Sequence, residues 1–405
     1  METILITPPS TLKCKVALPS SKSISNRALI LNALSGGSKE SLDRLSDCDD
    51  TAVMLRAFDT LRRTDENPVT IDVGAAGTSM RFLTAFLSCA VERQCLLTGS
   101  ERMKQRPIAP LVNALRELGA DIQYEGEEGF PPLLISGKRL AGGELKLDST
   151  VSSQYVSALL MIAPTFPIGL RLRLKGDVIS RPYINMTLSM LSQWGVQSSF
   201  QDNLITIEHQ RILPHQYTVE ADWSAASYWY QICELWKQKG RGNAEVELIG
   251  LREPSLQGDS HIVDVFSQLS LRKPLSLNLV DMPDMAQTVI VTACLLRVPF
   301  RIEGLQSLHI KETDRVQALQ KELSKLGFHI EEPSHGVVTF DGEREDFDSK
   351  EAVIDTYHDH RMALSFAPVC LVDGEIRIRE PHVVTKSYPF FWDDLRSAGF
   401  NIVNL

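Results

Sequence analysis

The chain has 405 residues, 43% of them hydrophobic and 23% charged, the balance of an ordinary globular protein large enough for two or three domains. Its formal net charge of −9 argues against a general binder of nucleic acid or anionic membranes, so an anionic ligand would have to be held by a local cluster of cations. Seven scattered cysteines (Cys14, Cys48, Cys89, Cys95, Cys233, Cys294, Cys370) with no C-x-x-C pair fit buried thiols in a reducing compartment, and Met1–Ile6 carries neither a basic segment nor a long apolar run, so a cytoplasmic location is expected.

The first element is an alternating run, Cys14, Val16 and Leu18, that reads as a strand ending at Pro19. It is followed by Ser20-Ser21-Lys22-Ser23-Ile24-Ser25-Asn26-Arg27 and then an apolar helix, with serines expected to cap the helix and two cations beside its positive end. The same design, a small or polar turn opening an apolar helix, returns at 74–87, 149–162, 222–234, 282–296 and 358–371. The six starts lie 54, 75, 73, 60 and 76 residues apart. Second helices are expected at Ile108–Leu118, Tyr183–Trp194, His261–Leu269 and Asp314–Leu326. Short strand pairs should follow, such as Asp121–Gln123 with Leu133–Ser136 and His329–Glu331 with Val337–Phe340. Between Cys48 and Gly74, and again between Leu269 and Asp281, there is room for one strand only. These repeats predict six α/β units grouped three and three, with chain crossings near Ser20 and near Glu220–Asp222.

Several motifs collect charge at expected helix starts. Lys311-Glu312-Thr313-Asp314-Arg315 sets a carboxylate among cations ahead of a helix expected from about Thr313, an arrangement suited to proton transfer beside a bound anion. Arg102-Met103-Lys104-Gln105-Arg106-Pro107 places three cations ahead of a helix expected to open at Pro107. Ser152-Ser153-Gln154 and Ser180-Arg181-Pro182-Tyr183 offer neutral donors at two more starts. Asp281 and Asp284 end a strand and are candidates both for caps and for a general base. His358-Asp359-His360-Arg361 invites a metal reading but lacks further ligands at suitable spacing, and Arg361 is its more useful residue. Lys386 stands alone in a Thr- and Pro-punctuated loop. No P-loop, dinucleotide fingerprint or nucleophile elbow is present.

Taken in order, LPSSKSISNRAL, GAAGTSMR, RMKQRP, SSQYVSALL, SRPYI, SLQGD, MPDMAQT, IKETDR, HDHRMA and TKSYP make the chain resemble the EPSP synthase (3-phosphoshikimate 1-carboxyvinyltransferase) family over nearly its whole length. The resemblance implies an α/β fold of two domains, each of three βαβαββ units in an inside-out barrel, here with two units shortened. One domain would comprise 1–20 with 221–405 and the other 21–220, with the active site in the cleft between them. It implies enolpyruvyl transfer from phosphoenolpyruvate to the 5-hydroxyl of shikimate 3-phosphate by addition and elimination, without metal or cofactor, in a protein expected to be a monomer. By position, Lys22, Ser23, Arg27, Ser152, Ser153, Gln154, Ser180, Asp284, Ser307 and Lys311 would hold shikimate 3-phosphate. Lys22, Gly77, Arg106, Gln154, Arg315, Arg361 and Lys386 would hold phosphoenolpyruvate, and Asp284 and Glu312, aided by Lys22, would move protons.

The chain departs from the family pattern at Ala75, Phe82 and Ser307, where Asn, Pro and Asn are usual, and Trp223 puts bulk near the second crossing. Gly77 leaves room beside bound phosphoenolpyruvate, which implies sensitivity to glyphosate. Two other functions stay open. A UDP-N-acetylglucosamine enolpyruvyl transferase would carry Lys-Asn at the first helix and a Cys in the 102–110 loop, and this chain has neither. A non-catalytic anion-binding paralogue would fit Ala75 and the shortened units, and turnover separates it from the enzyme.

Overall fold

Residues 2–148, 152–176, 178–240, 244–347 and 352–405 are described by a computed structural model. The chain divides into two units, residues 20–220 and residues 1–19 with 221–405. The same logic builds each. An apolar helix without a polar face has to be covered on every side, and sheets with one apolar face supply the cover.

In the 20–220 unit the inner helices are α1 (Lys22–Ser35), α3 (Gly77–Ala90) and α5 (Ser153–Ile162), which pack on one another. Every residue from Ile24 to Asn32 and from Tyr155 to Ile162 is buried. Outer helices α2 (Asp49–Arg63), α4 (Ala109–Glu117) and α6 (Arg181–Gln193) flank them. Two four-stranded sheets share one topology. In the first, β4 (Val69–Asp72) runs parallel to β5 (Gln94–Thr98), which pairs antiparallel with β7 (Leu133–Ser136) and through it with β6 (Asp121–Tyr124). In the second, the same order is β8 (Gly143–Asp148), β9 (Leu170–Lys175), β11 (Leu204–Ile207) and β10 (Ser198–Gln201). The third sheet is a parallel pair, β3 (Leu42–Asp43) with β12 (Tyr217–Thr218).

The other unit repeats the plan with inner helices α7 (Trp223–Gln238), α9 (Ala286–Leu295) and α11 (His360–Phe366), all ten residues of α9 being buried. Around them lie α8 (Ile262–Leu269), α10 (Arg315–Ser324), α12 (Cys370–Asp373) and α13 (Phe391–Ser397). One complete sheet has the order β14 (Leu275–Asn278), β15 (Phe300–Glu303), β17 (Val337–Phe340), β16 (Glu331–Ser334). The other has β18 (Val353–Ile354), β19 (Ile376–Arg379), β1 (Thr3–Thr7), β20 (Asn401–Asn404), so the first strand of the chain completes the last repeat. The third is again a parallel pair, β2 (Lys13–Ala17) with β13 (Glu245–Ile249). Two of the six repeats thus lack the terminal hairpin. These are the two whose sequence left room for a single strand, and that strand (β4 or β14) belongs to the next sheet. Among the described residues no helix is long and apolar enough to cross a membrane.

Three local expectations are corrected. Ser21 stands at the N-cap of α1, but its hydroxyl caps nothing and is buried without a partner. Helix α4 opens at Ala109 with Pro110 in its first turn, so Pro107 lies outside it. Strand β16 occupies Glu331–Ser334 in place of His329–Glu331. Its pairing shifts register between Glu331 and Ser334, next to Pro333, which has no N–H for a ladder and is tolerated on an edge strand. Ser149, Thr150 and Val151, which open the 149–162 segment of the sequence, lie outside the described residues.

Capping differs sharply between the two inner helices that follow the chain crossings. Asp222 Oδ1 accepts from Ser224 N at 2.7 Å and from Ala225 N at 3.4 Å, whereas Ser21 makes no such bond. Asp222→Ala is therefore expected to cost about 0.5–2 kcal/mol in urea unfolding, while Ser21→Ala stays within about 0.5 kcal/mol of wild type. Equal losses would show that the Ser21 hydroxyl stabilises the ligand-free fold.

Candidate active site

In the 20–220 unit, site residues gather where four helices begin. Lys22 and Ser23 open α1, Gly77 opens α3, and Ser153 and Gln154 open α5, with the Ser152 hydroxyl accepting from Gln154 N at 3.3 Å. Side chains tie these starts together. Gln154 Nε2 donates to Thr78 Oγ1 at 3.4 Å, and the Ser79 hydroxyl donates to the Asp50 carbonyl, at the start of α2, at 2.8 Å. The Lys22 ammonium lies 4.0 Å from the Asp50 carboxylate. First-turn N–H groups and positive dipole ends therefore meet Lys22 in one region, which is a physical recipe for binding anions.

Gly77 is the tight point. A Cβ built there would lie 2.5 Å from Arg106 Nη1 and 2.7 Å from Arg81 Nη1, so only glycine lets both guanidiniums approach the start of α3. Arg81 Nη1 donates to the Gly77 carbonyl at 2.8 Å, and Tyr155 OH donates to the Pro107 carbonyl at 2.6 Å, fixing the segment that carries Arg106 onto α5. Arg102 and Arg106 flank the short 3₁₀ turn Met103–Gln105, which contains Lys104, and none of the three stands at the start of α4, so the expected opposition between cations and that helix dipole does not arise. Arg102 is exposed, and Lys104 pairs with Glu101 at 2.7 Å.

Arg27 faces inward. It is 2% exposed and donates to Thr187 Oγ1 at 2.8 Å, the Ser23 carbonyl at 2.8 Å, Ser157 Oγ at 2.9 Å and the Tyr183 carbonyl at 3.4 Å, with its guanidinium 5.3 Å from the Phe82 ring centre. Burial lowers its pKa to about 10, still protonated at neutral pH. Phe82, one of the departures, thus supplies a ring face for a buried cation. Ser180 precedes α6 in the left-handed region (φ 54°), and its hydroxyl does not cap that helix. Ala75 is exposed.

In the other unit the centre is Arg315, the first residue of α10 and 1% exposed. Asp314, not Thr313, caps that helix by accepting from Gln317 N at 3.1 Å. Three carboxylates share Arg315. Asp284 Oδ1 lies 2.9 Å from Nη1, Glu312 Oε2 lies 3.0 Å from Nη2, and Asp359 Oδ2 lies 2.7 Å from Nε. Each acid reaches further. Asp284 pairs with Lys311 at 3.6 Å and with Arg361 at 3.3 Å, and Glu312 pairs with Lys386 at 2.8 Å. Asp359 also caps α11, accepting from Arg361 N at 2.9 Å. Burial alone would raise the Asp284 carboxyl, but Arg361, Lys311 and Arg315 hold it well below the usual carboxylate range. Burial lowers the Lys311 ammonium, partly offset by Asp284. Ser307 is half-buried in the 3₁₀ turn Gln306–Ile310, and Asp281 is exposed.

The expected residues Asp284, Lys311, Glu312, Arg315, Arg361 and Lys386 are therefore brought together. The network adds residues that the sequence analysis did not assign. Arg361 Nη1 donates to Tyr228 OH at 3.3 Å and Nη2 to Ser224 Oγ at 3.4 Å, and the Ser224 hydroxyl donates to Asp259 Oδ2 at 2.7 Å. The metal reading of His358-Asp359-His360 dissolves. His358 is exposed with Nδ1 3.3 Å from Glu380, His360 is buried, and Asp359 belongs to Arg315. Asp359 was visible as an acid at a helix head, but nothing local marks its partner 44 residues earlier.

Burial, and then the charge of Asp284, raise the Asp259 carboxyl to about 6 against an ordinary 3.8. The folded state therefore holds that proton more tightly than the unfolded chain. The resulting stabilisation is full below about pH 4 and lost as pH rises through 6. Asp259→Asn removes the dependence, so its stability relative to wild type should rise by about 2–3 kcal/mol between pH 4 and 8 in urea titrations. A pH-independent difference would mean that the carboxyl titrates normally.

The chain matches known proteins over nearly its whole length. The family model for EPSP synthase (3-phosphoshikimate 1-carboxyvinyltransferase) matches residues 6–395. A curated 3-phosphoshikimate 1-carboxyvinyltransferase of Bacteroides fragilis is 50% identical over 416 residues, covering 98% of each chain, and one of Aeromonas salmonicida is 36% identical over 437 residues, covering 98% of this chain and 99% of its own. In fold, the chain is similar to the solved EPSP synthase of Acinetobacter baumannii, with a TM-score of 0.75, 19% identity and full coverage of both chains. Inner helices that begin among cations, two repeats trimmed of a hairpin and a whole-length match lead to one conclusion: the chain belongs to the EPSP synthase family.

Proposed function

We propose that the two cation clusters serve one reaction, enolpyruvyl transfer from phosphoenolpyruvate to the 5-hydroxyl of shikimate 3-phosphate. That transfer is the reaction of the family to which the chain belongs. The observation that carries the assignment of roles is the sharing of Arg315 by Asp284 and Glu312, each of which also holds a lysine. Acids able to move protons stand among the cations suited to a phosphate and a carboxylate. Lys22, Ser23, Arg27, Ser152, Ser153, Gln154 and Ser180 of one unit, with Asp284, Ser307 and Lys311 of the other, are assigned to shikimate 3-phosphate. Lys22, Gly77, Arg106, Gln154, Arg315, Arg361 and Lys386 are assigned to phosphoenolpyruvate. Arg27 acts there through its charge and by orienting Ser23, since most of its donors are engaged internally.

In the addition step the 5-hydroxyl oxygen bonds to C2 of phosphoenolpyruvate. Asp284 takes the hydroxyl proton, and Glu312, aided by Lys22, delivers a proton to C3. In the elimination step C3 returns its proton to Glu312, the C2–O bond to phosphate breaks, and the proton on Asp284 leaves with the phosphate. The depressed pKa of Asp284 bears directly on this scheme. With Arg361, Lys311 and Arg315 all turned toward it, Asp284 is a weak base. Substrate oxygens that engage those cations draw their charge away and restore its basicity when it is needed. The seven scattered cysteines, each buried or half-buried, support a reducing cytoplasmic setting.

Phosphate release from phosphoenolpyruvate, measured with shikimate 3-phosphate or UDP-N-acetylglucosamine as acceptor, tests the function. Release is expected with the first only. Release with the second alone would reassign the substrate, and none with either in folded protein would leave an anion-binding paralogue. Asp284→Asn and Glu312→Gln should each lower kcat by about 10²–10⁴, with a much smaller change in substrate binding measured by calorimetry. Gly77→Ala should displace Arg106 and raise KM for phosphoenolpyruvate roughly tenfold, about the value of one charge-assisted hydrogen bond, with a smaller change for shikimate 3-phosphate. An unchanged KM would remove Arg106 from that subsite.

A further inference from the structure

Among the described residues outside the network around Arg315, one group of side chains has the chemistry of a metal site. His309 lies in the 3₁₀ turn Gln306–Ile310, two residues before Lys311. Its Nδ1 is 2.9 Å from Asp314 Oδ2, and its Nε2 is 3.0 Å from Glu332 Oε1. Glu332 sits on the edge strand β16, and His335 occupies the turn that joins β16 to β17. The His335 ring stacks on that of His309 with centroids 4.7 Å apart and planes 24° apart, and its Nδ1 is 4.0 Å from the same Glu332 oxygen. One ligand atom from each of His309, Glu332 and His335 lies within 4.8 Å of the other two. We propose that His309, Glu332 and His335 bind one divalent transition-metal ion of the zinc class, with the fourth position open to water.

Three features favour this reading over an ordinary surface ion pair. The donor set is two imidazole nitrogens and one carboxylate oxygen, the set of open tetrahedral zinc sites. Asp314 accepts from His309 Nδ1, which aims Nε2 at Glu332, the second-shell arrangement that orients metal-bound histidines. The Gly336 N–H donates to Glu332 Oε1 at 2.7 Å and holds that carboxylate facing His309. Bonds of about 2.0–2.1 Å in a tetrahedron place ligand atoms about 3.3 Å apart. The 3.0 Å separation between His309 and Glu332 is close to that value, and His335, whose side chain is 69% exposed, has room to close the remaining gap. The competing occupant of the space between His309 Nε2 and Glu332 is a proton, which the metal must displace.

The consequence is mechanical. Asp314 uses its other oxygen to cap α10, so an ion on His309 would join the β16–β17 turn to the segment from 306 to 314 that carries Lys311 and Glu312. The test uses the full chain after chelator treatment. Titration with Co²⁺ should show one equivalent with a tetrahedral d–d absorption that Zn²⁺ abolishes. His335→Ala and Glu332→Gln, both outside the buried core, should each weaken binding at least tenfold, and Asp314→Asn, which retains a capping side chain, by about tenfold. Zn²⁺ should slow amide hydrogen exchange over 306–314 and 331–337 in wild type and not in His335→Ala. Absence of a saturable equivalent, binding that His335→Ala leaves unchanged, or unaltered exchange in both segments would each overturn the proposal and leave a histidine protonated between two carboxylates.

Discussion

Burial of the inner helices on nearly every side is the constraint on which the rest depends. A helix covered on all sides, as α9 is from Ala286 to Leu295, offers water and ligands only its ends. The sides of α1, α3 and α5 are likewise spent on packing. Functional groups must therefore stand in the turns before the helices, where unpaired N–H groups already favour negative charge. Repeating the unit repeats the anion-attracting end. A chain of net charge −9 thereby offers anions local sites, against its own overall field.

The network around Arg315 shows how such an end is kept ready. A buried guanidinium without counter-charges would be costly, and three carboxylates meet that cost. Those carboxylates do separate work. Asp359 is structural, fixing Arg315 and the start of α11 together, whereas Asp284 and Glu312 also reach more exposed lysines. The outer shell continues through Arg361 to Tyr228, Ser224 and Asp259, so groups on α7 and in the segment before α8 bear on the orientation of one arginine. Removing one carboxylate changes the charge balance of the whole set.

The helix starts were legible because an apolar run after a small or polar turn is a local pattern. The two trimmed repeats were legible from chain length alone. Roles for Lys386 and Gly77 came only through resemblance, since a lone lysine in a loop and a glycine in GAAG carry little signal by themselves. What stayed hidden depends on distant partners. Arg27 was legible only as a cation near the start of α1, whereas its burial depends on Ser157 and Thr187, 130 and 160 residues away, which accept its donors. Pro107 and Pro110 both precede apolar residues, and the Tyr155 hydroxyl on the Pro107 carbonyl helps explain why the helix starts later. The edge strand slid past Pro333 because its pairing is decided by β17, not by its own alternation.

The strand exchange has a bearing on how the chain is made. β1 pairs with β19 and β20, so that Thr3 meets Arg379 and Ile4 meets Asn404, and β2 waits for β13. At about 5–20 residues per second, a ribosome needs on the order of tens of seconds to supply the partners of β1. During that time Ile4 and Ile6, which end in the core, have no sheet to enter. Both strands are thus made before the 20–220 unit and paired only after it, and the nascent chain carries unsatisfied, apolar strand edges through the whole synthesis of the intervening unit.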